Sequence, residues 1–137
     1  MQVWDTTCQQ KYSSLLPKYL AGASGALILF PVDQLDSLTR IEWYLEQVRV
    51  HCPPETFVIF VGTKSDLRNE RNGSRMIAQD EIEALTMRHG CQYIETSAKF
   101  RTRVTEPFEL VARDALNRPE PVNVQAPRGS DSFCSIF

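Results

Sequence analysis

The chain lacks any long hydrophobic run. Its longest, Ala26 to Phe30 extended by Val32, falls far short of the roughly 20 residues a bilayer span needs. The opening residues, Met1-Gln2-Val3-Trp4-Asp5, hold neither a basic nor an apolar leader segment, so no signal peptide is read there. Histidine is scarce: His51 and His89 stand apart, and the four cysteines (Cys8, Cys52, Cys91, Cys134) form no C-x-x-C pair. A metal site built on Cys and His is therefore not expected, and reduced thiols fit these scattered cysteines better than disulfides. Charge of one sign is missing as well. Fifteen Lys and Arg face seventeen Asp and Glu, a net −2, which offers no basic field to nucleic acid. A nucleic-acid partner is excluded on that ground, and a cytoplasmic location is expected.

What remains is an ordinary globular composition, 42% hydrophobic and 23% charged over 137 residues, enough for one domain with a proper core. Gly25-Ala-Leu-Ile-Leu-Phe30 reads as a strand buried on both faces, ended by Pro31. Asp36-Ser37 supply capping side chains for a helix whose apolar face is Leu38, Ile41, Tyr44, Leu45 and Val48, closed by Pro53-Pro54. Thr56 to Gly62 is a second interior strand, and Lys64 to Ser74 a long polar loop. A helix from Ala78 to His89 ends at Gly90, Tyr93-Ile94 is a short strand, and Val104, Phe108, Val111, Ala112 and Leu116 mark a last helix with Pro107 in its first turn. Tyr12 to Ala21 suggests an irregular helix. From Arg118 onward polar residues, Pro and Gly dominate, which predicts a flexible tail. Alternating strands and helices imply an α/β fold, a parallel sheet covered on both faces, with ligands outside the carboxyl ends of its strands.

Three segments lie at that edge: Asp5-Thr6-Thr7-Cys8-Gln9-Gln10, Thr63-Lys64-Ser65-Asp66, and Glu95-Thr96-Ser97-Ala98-Lys99. In this order, each behind a strand, they resemble the D-T-A-G-Q-E, N-K-x-D and E-T-S-A-K motifs of the Ras-superfamily GTPases. Gln2-Val-Trp4, Lys11 to Leu15, Tyr19 to Ala23 and Leu29 to Val32 bring the match closest to the Rab branch, over residues 1 to about 116. Taken singly, Asp66 after Lys64 is a polar loop, Thr96 and Ser97 are turn or cap residues, and Gln9 is a surface glutamine. Joint order and placement reverse that reading.

The resemblance implies a three-layer, doubly wound, P-loop-NTPase-like small G domain over 1–117, its mostly parallel sheet missing the family's first strands. It implies that GTP or GDP is bound through the guanine base by Thr63, Lys64, Asp66, Ser97, Ala98 and Lys99. A carboxylate at Asp66 accepts from guanine N1–H and N2–H₂ together, a donor pair adenine lacks. Lys64 would lay its stem along the base with its ammonium near the ribose, and the Ala98 amide would donate to guanine O6. Gln9 matches the catalytic glutamine that orients the attacking water, and Asp5 the carboxylate that indirectly supports Mg²⁺.

Against this stand departures. No G-x-x-x-x-G-K-[ST] occurs, since none of glycines 22, 25, 62, 73, 90 and 129 precedes a lysine. Cys8 stands where the family has glycine, Gln10 replaces an acid, Thr63 replaces asparagine and Pro31 replaces aspartate. The expectation is a truncated Rab-like chain, deficient in nucleotide binding and hydrolysis, whose Gly25 strand keeps an unpaired apolar edge. Residues 118–137 form its tail, ending in Cys134-Ser-Ile-Phe137, a C-a-a-X-like lipidation motif that would attach the protein to the cytosolic face of an endomembrane or the plasma membrane. The family's work in vesicle-mediated membrane traffic is one expected function. The alternative is a nucleotide-independent interaction protein engaging Rab regulators or effectors.

Overall fold

Ala23–Pro31 is a single long strand, and burial on both faces explains its continuous apolar character: Ala26, Leu27, Ile28 and Phe30 are all but inaccessible to water. The computed structural model describes residues 1–6, 16–69, 76–119 and 133–136. In chain order the strands are β1 (Gln2–Asp5), β2 (Ala23–Pro31), β3 (Phe57–Thr63), β4 (Gln92–Glu95) and β5 (Phe133–Ile136). The helices are α1 (Leu16–Leu20), α2 (Ser37–His51), α3 (Gln79–His89) and α4 (Glu106–Asn117). The strands form one sheet in the order β1-β5-β2-β3-β4, and every pairing is parallel.

Two hydrophobic clusters make three layers of it. On one face Leu16, Leu20, Ile41, Leu45, Val48, Ile82 and Leu85 of α1, α2 and α3 pack with Ala26, Ile28, Phe30 and Phe60. On the other face, among the described residues, α4 presents Val111 and Phe108 to Leu27, Ile59, Val61 and Ile94. The doubly wound α/β architecture read from the sequence is the architecture found, with α2, α3 and α4 bounded within a residue or two of the periodicity. Of the helix expected over Tyr12 to Ala21 the structure shows Leu16–Leu20, and residues 12–15 lie outside the described set. Gly90 takes the left-handed conformation (φ 66°) that ends α3, as its position predicts.

Four local expectations are corrected. Asp36 does not cap α2 with its side chain, because it is itself helical (φ −63°, ψ −13°) rather than extended. Ser37 instead donates to the Gln34 carbonyl at 2.6 Å, and Thr39 to the Asp36 carbonyl at 2.8 Å. Leu116 is 84% exposed, since five positions after Val111 it lies on the far side of the helix. Val104 precedes α4 and is half-exposed.

The fourth correction matters most. The β2 edge facing β1 is not bare, and the tail is not featureless from 118 to the end. Residues 133–136 insert between β1 and β2 and pair with both. The physical reason is the vacancy itself: an unpaired row of amides and carbonyls on an apolar strand is a template for any extended segment within reach. The tail's remaining residues, 120–132 and 137, lie outside the described set.

Gly25 shows how tightly α4 seats on this sheet. A Cβ there would come within 2.3 Å of Val111 Cγ1 and 3.3 Å of the Phe57 carbonyl oxygen. Gly25→Ala should cost about 1–3 kcal/mol through overpacking. In urea unfolding, adding Val111→Ala should recover part of that loss, a coupling that non-interacting sites do not show.

Candidate functional site

The carboxyl ends of β3 and β4 deliver two loops to the same place, and backbone hydrogen bonds staple one to the other. The Thr96 amide donates to the Gly62 carbonyl at 2.7 Å, and the Ser65 amide donates to the Thr96 carbonyl at 3.0 Å. After β3 the chain passes through Lys64 in the left-handed region (φ 61°), then into a 3₁₀ turn over Ser65–Asn69. After β4 it folds back on itself: Ser97 and Thr102 exchange amide–carbonyl bonds at 3.0 and 2.9 Å. Arg101 and Arg103, both with positive φ, complete that turn.

At the junction the Ser97 hydroxyl donates to Asp66 Oδ1 at 2.6 Å. Ser97 is buried and its oxygen also accepts the Phe100 amide at 3.3 Å, so the hydroxyl has no freedom to turn elsewhere. Lys99 Nζ stands 3.9 Å from Asp66 Oδ2. The Ser97 hydrogen bond holds the Asp66 carboxyl below the usual carboxylate range; partial desolvation opposes it, and its own backbone amide, Lys99 and Lys64 reinforce it. Asp66 is therefore an ionised acceptor at any ordinary pH. Its two oxygens offer about four lone-pair sites, of which Ser97 takes one, so two donors of an incoming base can still be met.

Thr63, Lys64, Asp66, Ala98 and Lys99 line a cavity of about 290 Å³ floored by Leu27, Leu29, Val61 and Phe108. That volume suits a small planar ligand at the lower end of ordinary pockets. Five of the six residues proposed for guanine thus line one cavity, and the sixth, Ser97, orients Asp66 from behind. Two details differ from the expected roles. Thr63 turns its hydroxyl to the Phe30 carbonyl at 3.3 Å, a structural bond. Lys64 does not hold its ammonium out over the cavity, but donates to Asp33 Oδ1 and Oδ2 at 3.2 and 3.1 Å. A half-buried carboxylate on the neighbouring loop is the nearest counter-charge in the protein alone.

Behind the loops lies a cluster the sequence motifs do not disclose. Arg68 Nε donates to both oxygens of Glu95 at 2.8 Å, its Nη1 donates to the Ile77 carbonyl at 2.9 Å, and the Tyr93 hydroxyl donates to Glu95 at 2.6 Å. Burial, then the Glu95 bond, push the Tyr93 phenol up, and Glu95 holds the Arg68 guanidinium charged. This cluster ties the 3₁₀ turn to β4 from below. The signal that could have found it is weak: Tyr93 and Glu95 lie on one face of a short strand, and Arg68 follows Ser65 at the spacing of one 3₁₀ turn.

Asp5 ends β1 at the same edge, but β5 and β2 stand between it and β3, and it is exposed. One carboxylate makes no cation cage, and among the described residues no group of three His, Cys, Asp or Glu could hold a metal. Gln9, like Cys8 and Gln10, lies outside the described residues. Cys134 is described only in its backbone, within β5. A larger cavity, about 470 Å³, opens at the opposite end of the sheet among Leu45, Arg49, Thr56, Phe57, His89 and Cys91. Glu55 also lines it, the Thr56 hydroxyl is taken up by the Ala23 carbonyl at 2.8 Å, and neighbouring Cys52 is an unreactive thiol that burial pushes up to about 11.

Comparison with known proteins gives the family of the chain. The profile of the Ras family matches residues 1–117. The Ras-related protein RGP2 of Oryza sativa subsp. japonica is 32% identical over an alignment of 134 positions that covers 92% of this chain and 60% of the relative. The chain thus spans about three-fifths of the length of the curated relative it matches. Motif order, fold, site and match converge, and the chain belongs to the Ras family.

Proposed function

We propose that this protein recognises the guanine base of GTP or GDP at the cavity between the β3 and β4 loops, as a Rab-like member of its family acting in vesicle-mediated membrane traffic. The observation that carries the reading is the buried Ser97 hydroxyl aimed at Asp66, 2.6 Å away, which fixes an ionised carboxylate at the mouth of an apolar slot. Asp66 takes the N1–H and N2–H₂ donors of guanine, the Ala98 loop meets O6, and the stems of Lys64 and Lys99 flank the ring. Where Mg²⁺ accompanies the nucleotide, Asp5 would support it indirectly, and Gln9 would orient the attacking water. Lipid attachment at Cys134 would bring the protein to a membrane, and Rab regulators or effectors would be its partners.

The 137-residue polypeptide holds the base but carries no G-x-x-x-x-G-K-[ST] amides or lysine for the β- and γ-phosphates. Association costs at least about 4 kcal/mol in lost freedom, so hydrogen bonds to the base leave an affinity of about millimolar at best. The alternative is a nucleotide-independent interaction protein that engages Rab regulators or effectors.

Three measurements test this. In NMR titrations with GDP up to about 10 mM, amides of Lys64–Leu67 and Ser97–Lys99 should shift. ADP should move them at least tenfold less, as two charge-assisted bonds decide the difference. Asp66→Ala should erase the preference, and an equal response to ADP would refute guanine recognition. Hydrolysis of GTP by the purified polypeptide should not exceed that of its Gln9→Leu variant.

The third concerns acid. Asp66 sits below its ordinary 3.8, so its contribution to stability is complete above that value and vanishes as pH falls through the lower folded value. Ser97→Ala removes the main cause, so the Asp66 carboxyl should titrate at higher pH by carbon NMR. The stability gap between the two proteins, seen by circular dichroism, should close only below about pH 3.8.

A further inference from the structure

The strand that comes last in the chain is second in the sheet. Each residue of β5 has a register partner on both sides: Phe133 with Gln2 and Ala23, Cys134 with Val3 and Gly25, Ser135 with Trp4 and Ala26, Ile136 with Asp5 and Leu27. Within the sheet β1 meets no other strand among the described residues, so β5 is its sole link to β2, β3 and β4. Three features make that link easy to break. The strand is four residues long. Both its ladders are parallel, the weaker kind per residue, and the one to β2 slips register between Ala23 and Gly25.

The same residues carry a second commitment. Cys134, Ser135 and Ile136 are three of the four residues of the C-a-a-X-like motif, and any enzyme that takes that tetrapeptide needs it extended and free of other pairing. A segment cannot serve as a central strand and as a free peptide at once. We propose that β5 is an exchangeable strand. Inserted, it joins β1 to the sheet and withholds Cys134; withdrawn, it presents the tail for modification and unpairs β1 from the sheet. A binder of the withdrawn tail shifts the balance by its differential affinity for the two states, so whatever captures the tail also undocks β1. The proposal does not depend on guanine recognition.

Hydrogen–deuterium exchange on the full 137-residue chain tests it. Residues 2–5 and 133–136 should be protected together. Ser135→Pro, which removes a ladder donor from a central strand, should lower protection of residues 2–5 at least tenfold while residues 57–63 and 92–95 stay protected. Unchanged protection of residues 2–5 in that variant would overturn the proposal. So would exchange of residues 133–136 at the rate of an unstructured peptide in the wild-type protein. Should Ser135→Pro fail to fold, a second variant decides. Val3→Cys places a thiol on the register partner of Cys134, and neighbouring strands lie within disulfide range. Oxidised glutathione should join the two, as read by peptide mapping, and slow N-ethylmaleimide labelling of Cys134 in the wild-type protein should match that insertion. No such disulfide, with Cys134 labelled as fast as in denaturant, would refute it.

Discussion

Two backbone hydrogen bonds carry the site: Thr96 amide to Gly62 carbonyl, and Ser65 amide to Thr96 carbonyl. They fasten the loop after β4 to the loop after β3, and every other feature of the cavity is placed relative to them. Without the staple, Ser97 would not face Asp66, and the carboxylate would be a solvated group in a polar turn. Inside it, a hydroxyl and a carboxylate are held at contact distance with neither free to rotate away. Preorganisation of this kind removes an ordering cost that a ligand would otherwise bear.

The second layer of support is electrostatic. Arg68, Glu95 and Tyr93 form a half-buried cluster below the staple, and the Arg68 contact to the Ile77 carbonyl extends it to the stretch leading into α3. A buried pair of this type is weak evidence for stability but strong evidence for geometry, since removing one member strands the other's charge. Here it fixes the direction in which the 3₁₀ turn leaves β3. Lys64, on the cavity side, answers to Asp33 instead.

Much of this was legible from the residues. The apolar runs around Leu27 and Phe60 named the interior strands, since strands buried on both faces need no alternation. Ile41, Leu45 and Val48 named the inward face of α2 through their spacing. The Thr63–Asp66 and Glu95–Lys99 segments were recognised by order, and the sheet does bring them together. What escaped has a common cause: it depends on which distant groups become neighbours. Asp33 as the partner of Lys64 and Arg68 as the partner of Glu95 are separated in sequence by about thirty residues, and no local pattern encodes such pairs. The strand at residues 133–136 is hidden for the opposite reason. Polar, Pro-rich surroundings masked Phe133 to Ile136, four residues whose strand state is dictated by a gap elsewhere in the sheet.

That gap sets the order in which the molecule can assemble. Gln2 to Asp5 find their ladder only in Phe133 to Ile136, a separation of about 130 residues, nearly the longest loop closure this polypeptide allows. Synthesis runs from β1 towards β5, so β2, β3 and β4 with their helices can collapse while β1 still waits for its sheet partner. A strand made before β2 docks after it, and for that interval chaperones and proteases meet a sheet with one strand unpaired.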